Sequence, residues 1–291
     1  MTIRIRVAML LSVGLLSLAS ATHAQPAPST DALARQIEGA LPKWDDRVLA
    51  AKGGTDWTAR SDMREIAKRL DVTLVDADKM PAQSQRAPLK NGELRFDPER
   101  GFVRLVDQDR GWKFERDAQR KAVADDVARR TTLAALERLG IPKAEIGELQ
   151  LNTQMAVGTK AGARKAADVM EMYRWVGVPR RVNDLPVLLS DARVVINNDG
   201  QLQRLRVTWP TFRLQAEVAL LDRKAVVERA LTAFRAEGID QAKEIRAQLV
   251  YAPSGDDEAT SFVPAILLSA LADPTPVQVV VPVADLAPRS D

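Results

Sequence analysis

The sequence predicts an α+β fold in which helices pack on antiparallel sheets, with two tandem helix-and-sheet modules after a smaller α+β N-terminal region. Apolar and polar residues alternate strictly from Glu148 to Val157, which indicates a strand with one buried face. Two segments 98 residues apart, around Gly140 and Gly238, share one helix-then-strand pattern. Short strand candidates separated by turn formers occupy much of the first third.

Residues 1–24 have the features of a cleavable signal peptide. Arg4 and Arg6 form a basic start, residues 7–19 are apolar but short for a membrane span, and Ala24 is a small residue suited to cleavage. We therefore expect a periplasmic or secreted protein. The alternative is an uncleaved N-terminal anchor.

The N-terminal region, residues 31–118, is predicted to be a small α+β unit that follows a Pro-containing linker at 25–30. Leu33, Ile37 and Leu41 recur at helical spacing, and a second helix is expected to begin at Ser61. Short strands are expected at Val72–Val75, Glu93–Phe96, Phe102–Val106 and Trp112–Glu115.

The clearest module is predicted at residues 119–216. Its helix ends at Gly140, since glycine readily adopts the left-handed conformation that ends helices, and Ile141 can fold back on the last turn. A four-strand antiparallel meander follows, with the helix on its apolar face and Trp209 in the core. Its strands are expected at Glu148–Val157, Val169–Val178, Ala192–Asn197 and Leu202–Trp209.

The second module is predicted at residues 217–285, with a tail at 286–291. Its helix runs from Asp222 to Glu237 and stops before Gly238. Duplication of one module is the favoured interpretation, and generic helix-stop signals are the alternative. Strands are expected at Glu244–Tyr251, Ser261–Leu271 and Val277–Val283.

Three runs in the first module resemble the core hairpins of PepSY-type modules: YRWVGV at 173–178, VNDLPV at 182–187 and NDGQL at 198–202. They are also similar to fungalysin/thermolysin propeptide modules, whose fold is cystatin-like. The resemblance covers about residues 120–285, with Asp184 where those families usually have glycine. It implies a non-catalytic module that inhibits, chaperones or regulates a peptidase or another envelope protein. We expect that client to be a separate polypeptide.

The composition disfavours several classes of enzyme. The chain has no cysteine and one histidine, His23, which lies in the predicted signal peptide. Ser-His-Asp hydrolases, Cys-His peptidases and His- or Cys-ligated metal sites are therefore not expected. The chain has 42 Lys+Arg and 39 Asp+Glu, and the leader carries two of the arginines and no acid. This balance gives no reason to expect nucleic acid as a partner. We expect no cofactor and no metal.

Two acidic segments could hold calcium, although solvated loops explain both better. Asp107 and Asp109 supply the first two acids of a calcium loop without its later ligands. Asp256–Glu258 form a compact acidic loop. Residues 158–165 are basic and contain glycine, but they do not match the phosphate-binding template and are expected to form a hairpin tip.

Five arginines of the first module are the candidate partner-binding residues. On the last strand Arg204 and Arg206 alternate with Leu205 and Val207, so they share the polar face. If strand register brings the group together, it can grip carboxylates or phosphates in a bidentate manner. The alternative is a solvated sheet face with acids nearby. The group consists of Arg174, Arg180, Arg181, Arg204 and Arg206.

We therefore expect an exported, non-catalytic binding module that regulates, inhibits or chaperones a separate envelope or secreted protein, for instance a peptidase. One alternative is an envelope-associated structural protein that binds anionic lipid or cell wall, although a membrane surface is not favoured as the partner. A second alternative is a hydrolase that uses only carboxylates. Aromatic residues make up only 4% of the chain, which argues against the aromatic platforms of sugar-cleaving sites. The client and the oligomeric state stay open.

Overall fold

The computed structural model describes residues 30–50, 56–58, 61–81, 83–158, 168–214, 219–254, 261–272 and 276–285. This part of the chain contains five α-helices and twelve strands, and adjacent strands pair mostly antiparallel. The predicted α+β class is therefore confirmed. No helix within these ranges is both long and apolar enough to cross a bilayer.

The chain divides into two units by its internal contacts. The larger unit comprises residues 51–214 and 253–262, and the smaller comprises 1–50, 215–252 and 263–291. This grouping differs from the predicted one, because the first helix joins the C-terminal residues and the N-terminal strands join the first module.

The larger unit contains seven strands that pair antiparallel with one another. Strands β4 to β7 pair in chain order, which confirms the predicted four-strand meander. Pairing of β3 with β7 adds β1–β3 to the same sheet, in the spatial order β1-β2-β3-β7-β6-β5-β4. The strands are β1 Arg86–Leu89, β2 Gly92–Asp97, β3 Phe102–Asp107, β4 Gln150–Gly158, β5 Asp168–Val182, β6 Leu185–Ile196 and β7 Leu202–Thr208.

Two helices of the larger unit, α2 and α4, cover the apolar face of this sheet. Met63 and Ile66 of α2 and Leu136 of α4 share one buried cluster with Leu94 and Val194 of the sheet. Such a single shared core explains why the N-terminal strands and the meander form one unit. The helices are α2 Met63–Arg69, α3 Phe114–Asp117 and α4 Asp125–Leu139.

Helix α4 ends as predicted. Gly140 has φ +88°, a left-handed conformation that costs glycine little. The backbone N–H of Ile141 donates to the carbonyl of Leu136 at 3.0 Å, which closes the helix end.

Two predicted strands of the N-terminal region are wrong. Trp112–Glu115 lies where the chain enters the helical turn α3, because the carboxylate of Asp117 accepts the backbone N–H of Lys113 at 2.8 Å. Val72–Val75 contributes only an isolated bridge from Leu74 to Leu89.

The smaller unit packs two helices against a second group of strands. Asp222 caps helix α5, accepting the N–H of Ala225 at 2.7 Å, and Gly238 after its end has φ +75°. Strand β10 is hydrogen-bonded to β9 and β11, so the predicted helix and three strands of the second module are confirmed. The elements are α1 Thr30–Ala40, β8 Ala219–Leu220, α5 Arg223–Ala236, β9 Glu244–Pro253, β10 Phe262–Leu271, β11 Val277–Pro282 and β12 Ala284–Asp285.

Several sequence predictions fall on residues outside the described ranges. These are the signal peptide, the linker up to residue 29, residues 159–165 of the predicted basic tip, the acidic loop Asp256–Glu258 and the tail at 286–291.

Candidate binding surface

A row of arginines crosses five adjacent strands of the larger unit. Arg86 of β1 lies opposite Arg95 of β2, and Arg95 lies opposite Arg104 of β3. Arg206 of β7 lies between Arg104 and Arg193 of β6. Because each arginine lies directly opposite the next and neighbouring strands are ~4.8 Å apart, the five backbone positions form one row across the strands. We call these five residues the arginine row.

The strand alternation places the arginine row on the side of the sheet that faces away from the core. Leu94, Leu105, Leu205 and Val194 immediately precede or follow these arginines in sequence and are buried under the helices. Side chains at alternate positions point to opposite faces, so the guanidinium groups emerge on the solvent side. Arg204 lies two residues before Arg206 and shares that side. We call the arginine row together with Arg204 the arginine face.

One carboxylate neutralises part of the arginine face. Glu93 forms ion pairs with Arg86 at 2.6 Å, Arg95 at 3.0 Å and Arg104 at 3.1 Å. Burial alone would raise the pKa of Glu93, but hydrogen bonding and charge from Arg95 and the charge of Arg86 outweigh it, and the pKa is lowered. Glu93 therefore stays ionised and shows that this surface holds a carboxylate between several guanidinium groups.

At the other end of the arginine face, fewer acidic side chains neutralise the arginines. Arg193 pairs with Asp191 at 2.9 Å. Arg204 and Arg206 are exposed and have no acidic partner among the residues that the structure describes. Like charges in directly opposed strand positions repel one another. An anion bound beside Arg206 would therefore offset its repulsion from Arg104 and Arg193. The guanidinium groups of β7 are therefore the open part of the surface.

The arginine row ends beside an aromatic side chain. Gly177 of β5 lies opposite Arg193, and the indole of Trp175 lies over it, since a Cβ on Gly177 would come within 2.8 Å of the Trp175 Cη2 atom. Trp175 lies opposite Val195, on the same side of the sheet as the arginines. An aromatic ring beside guanidinium groups can contribute apolar and stacking contacts to a bound partner.

The structure does not bring the five predicted arginines together. Arg204 and Arg206 lie on one face, whereas Arg174 lies on the helix side of the sheet. There the Arg174 Nε donates to the Val123 carbonyl at 2.8 Å and a terminal nitrogen pairs with Asp125 at 3.1 Å. Arg181 is exposed, and its Nε donates to the Asp184 carbonyl at 3.1 Å in the turn between β5 and β6.

Arg180 is a buried structural residue with only 2% of its side chain exposed. Its Nε donates to Glu145 Oε2 at 2.7 Å and its Nη1 donates to the Pro210 carbonyl at 2.6 Å. The guanidinium lies 5.3 Å from the ring centre of Trp209. Burial lowers the pKa of Arg180, and the neighbouring charge of Glu145 opposes that shift.

Trp209 is buried as predicted and links this network to the N-terminal region. Its Nε1 donates to Glu145 Oε2 at 3.0 Å, and its carbonyl accepts the Nε1 of Trp57 at 2.7 Å. The Nη1 of Arg180 also donates to the hydroxyl of Ser190 at 3.3 Å, and that hydroxyl donates to the Thr208 carbonyl at 3.0 Å. The buried ion pair thus organises β5, β6 and the end of β7 around one fixed charge pair.

Four residues of the arginine row were not predicted: Arg86, Arg95, Arg104 and Arg193. Arg95 and Arg104 fall within predicted strands at alternating positions, so their faces were readable from the sequence. Only the pairing of β3 with β7 places them beside Arg206, and that pairing joins residues about a hundred positions apart.

The carboxylates of the acidic turn at Asp107 make hydrogen bonds and an ion pair within the chain. The Asp107 carboxylate accepts the backbone N–H of Asp109 at 3.0 Å and pairs with Arg110 Nε at 3.1 Å. Asp109 accepts a hydrogen bond from the Asn91 side chain at 2.7 Å. Among the described residues, no group of three or more acids or histidines is close enough to hold a metal ion.

No protein-family model matches the chain, and the comparison with curated proteins also gives no match. The likeness to PepSY-type and propeptide modules stays a prediction from short sequence runs. The geometry of the arginine face is therefore the main guide to function.

Proposed function

We propose that the chain is an exported, non-catalytic binding module that regulates, inhibits or chaperones a separate exported protein, with the arginine face as its docking surface. The observation that carries this proposal is the in-register arrangement of five arginines, in which Arg206 lacks an acidic partner among the described residues. Guanidinium groups bind carboxylates through paired hydrogen bonds, so an acidic segment of a client protein is the matching partner.

The support of the arginine face suits binding because its backbone is held by a sheet. Arg204 and Arg206 lie on β7, which is paired on both sides, with β3 and with β6. Their strand neighbours Leu205 and Val207 are fully buried. The guanidinium groups therefore start from fixed backbone positions, which limits the ordering cost on binding to their own side chains.

The charges on this face favour binding over acid-base chemistry. A carboxylate-only hydrolase needs one carboxyl group that is protonated near neutral pH. Glu93 has the opposite property, because its arginine neighbours lower its pKa. The residues after the predicted signal peptide also include no histidine or cysteine.

The proposal is tested by in-cell crosslinking of the tagged mature chain in its native envelope, followed by mass spectrometry of the captured proteins. We compare wild type with the Arg204→Glu/Arg206→Glu variant. The matched control is Lys121→Glu/Arg129→Glu, which changes the net charge equally at two exposed residues outside the sheet.

One exported protein should be captured in a stoichiometric amount by wild type and by the control, and should be lost from the Arg204/Arg206 variant. Equal capture by all three chains would contradict the proposed surface. Binding only to vesicles that contain anionic lipid, with strong dependence on salt, would replace the protein client with a membrane surface.

A further inference from the structure

The two outer strands of the larger unit, β1 and β4, differ in how they are protected from pairing with another chain. Strand β1 has four residues, and these include Arg86 and Pro88. Short length, charge and proline are the features that prevent an edge strand from pairing with another chain. Strand β4, Gln150–Gly158, has nine residues and contains neither a charge nor a proline. The β4 edge therefore lacks the three features that protect β1.

The β4 edge is also accessible. Among the described residues β4 pairs only with β5. Gln150, Asn152 and Gln154 are exposed, and Met155 is 42% exposed. One row of backbone N–H and C=O groups thus faces outward, and an extended polypeptide is the partner that satisfies such a row.

The regular part of β4 is self-complementary. Its pairing with β5 is regular from Gln150 to Gln154 and shifts between Gln154 and Met155. The regular segment therefore has Asn152 at its centre. If an antiparallel copy places Asn152 opposite Asn152, then Gln150 faces the partner's Gln154. Each of these amides can both donate and accept hydrogen bonds, and no charge meets a like charge.

We propose that β4 is a contact between two copies of this chain, paired antiparallel about a two-fold axis at Asn152. The contact joins the sheets of two copies edge to edge and removes the exposed β4 edge from both. Self-complementarity selects a second copy over an unrelated strand. The contact lies outside the arginine face and does not depend on the proposed client.

A pair of charge variants tests the axis. Asn152→Glu and Asn152→Lys each place two like charges opposite one another in a homodimer, whereas a mixture places Glu opposite Lys. Sedimentation velocity over a range of concentrations should show dimers for wild type, monomers for each variant alone and dimers for the one-to-one mixture. The matched controls are Gln83→Glu and Gln83→Lys, at an exposed residue before β1, and both should remain dimeric.

The absence of cysteine from the chain allows a geometric test. Two copies of Asn152→Cys would have their Cα atoms ~5 Å apart, within the range of a disulfide. Two copies of Gln150→Cys would be offset by four residues, or ~14 Å along the strand, and should not crosslink. A mixture of Gln150→Cys and Gln154→Cys should crosslink. Monomeric wild type at every concentration, or equal crosslinking of the Asn152→Cys and Gln150→Cys variants, would overturn the proposal.

Discussion

Arg180 on β5 and Arg206 on β7 belong to one antiparallel sheet, but their surroundings are opposite. Arg180 is 2% exposed and is held by Glu145, Pro210 and the ring of Trp209. Arg206 is exposed, lies opposite two other arginines and has no acidic partner among the described residues. The buried arginine has its binding partners within the fold, whereas the exposed one is accessible to an anion from outside.

The comparison separates stability from binding. A buried charge that loses its partner destabilises a protein strongly, whereas exposed charges contribute little to stability. We therefore expect substitutions around Arg180 to change the free energy of unfolding, and substitutions at Arg204 and Arg206 to change binding with little effect on folding.

The largest effect is expected at the buried pair. Glu145→Ala leaves the guanidinium of Arg180 and the indole N–H of Trp209 without their carboxylate partner. The free energy of unfolding should fall by about 3–5 kcal/mol, measured by urea denaturation.

Glu145→Leu/Arg180→Met is the matched control for this pair, because it removes both charges. It should recover part of the loss. If Glu145→Ala were as stable as wild type, the buried pair would not contribute to the free energy of unfolding.

A smaller effect, with a defined pH dependence, is expected at Asp117. Its carboxylate is 1% exposed and pairs with Arg116 at 2.7 Å and Arg120 at 3.3 Å. Hydrogen bonding from Arg116 lowers the pKa of Asp117 against the opposing effect of burial, and the N–H of Lys113 adds to the lowering. The stabilisation is therefore complete above the unfolded pKa of about 3.9 and is lost as the pH falls through the lower folded value.

Asp117→Asn tests this dependence, because it keeps the shape of the side chain and removes the charge. The loss of unfolding free energy should be about 1–3 kcal/mol at neutral pH, and the difference from wild type should shrink in acid. A difference that stays constant from neutral pH to below pH ~3 would contradict the assigned role of the charge.

The substitution Glu93→Gln tests how charge compensation affects the arginine face. The substitution removes the charge that compensates Arg86, Arg95 and Arg104. Stability should fall by no more than about 1 kcal/mol, because these ion pairs are partly exposed to solvent. Affinity for an acidic client should rise, since three guanidinium groups lose their internal partner. Weaker binding by this variant would indicate that Glu93 contacts the client or positions the arginines.

Sequence patterns predicted the elements better than their pairing. The meander, helix α4 and the left-handed Gly140 and Gly238 followed from local periodicity and helix-stop signals, and the structure confirms them. The pairing of β3 with β7 could not be read locally, because alternation fixes which residues share a face and leaves the neighbouring strand open. The arginine row depends on that pairing.

Arg174 and Arg180 lie away from the arginine face for two different reasons. Arg174 and Arg180 are an even number of residues from Val176 and Val178, which are buried, so alternation already indicated the core side for them. The burial of Arg180 further depends on an irregularity between Pro179 and Arg181 and on a carboxylate from residue 145. Such a partner is visible only after the chain has folded.

The most direct measurement is the affinity of purified Arg204→Glu/Arg206→Glu for the captured client, made together with thermal unfolding of the same sample. We predict at least a tenfold loss of affinity, which corresponds to about 1.4 kcal/mol, and an unfolding free energy within about 0.5 kcal/mol of wild type. The Lys121→Glu/Arg129→Glu control should retain both properties. Unchanged affinity, or a loss of stability that accompanies the loss of binding, would contradict the assignment of the arginine face as the docking surface.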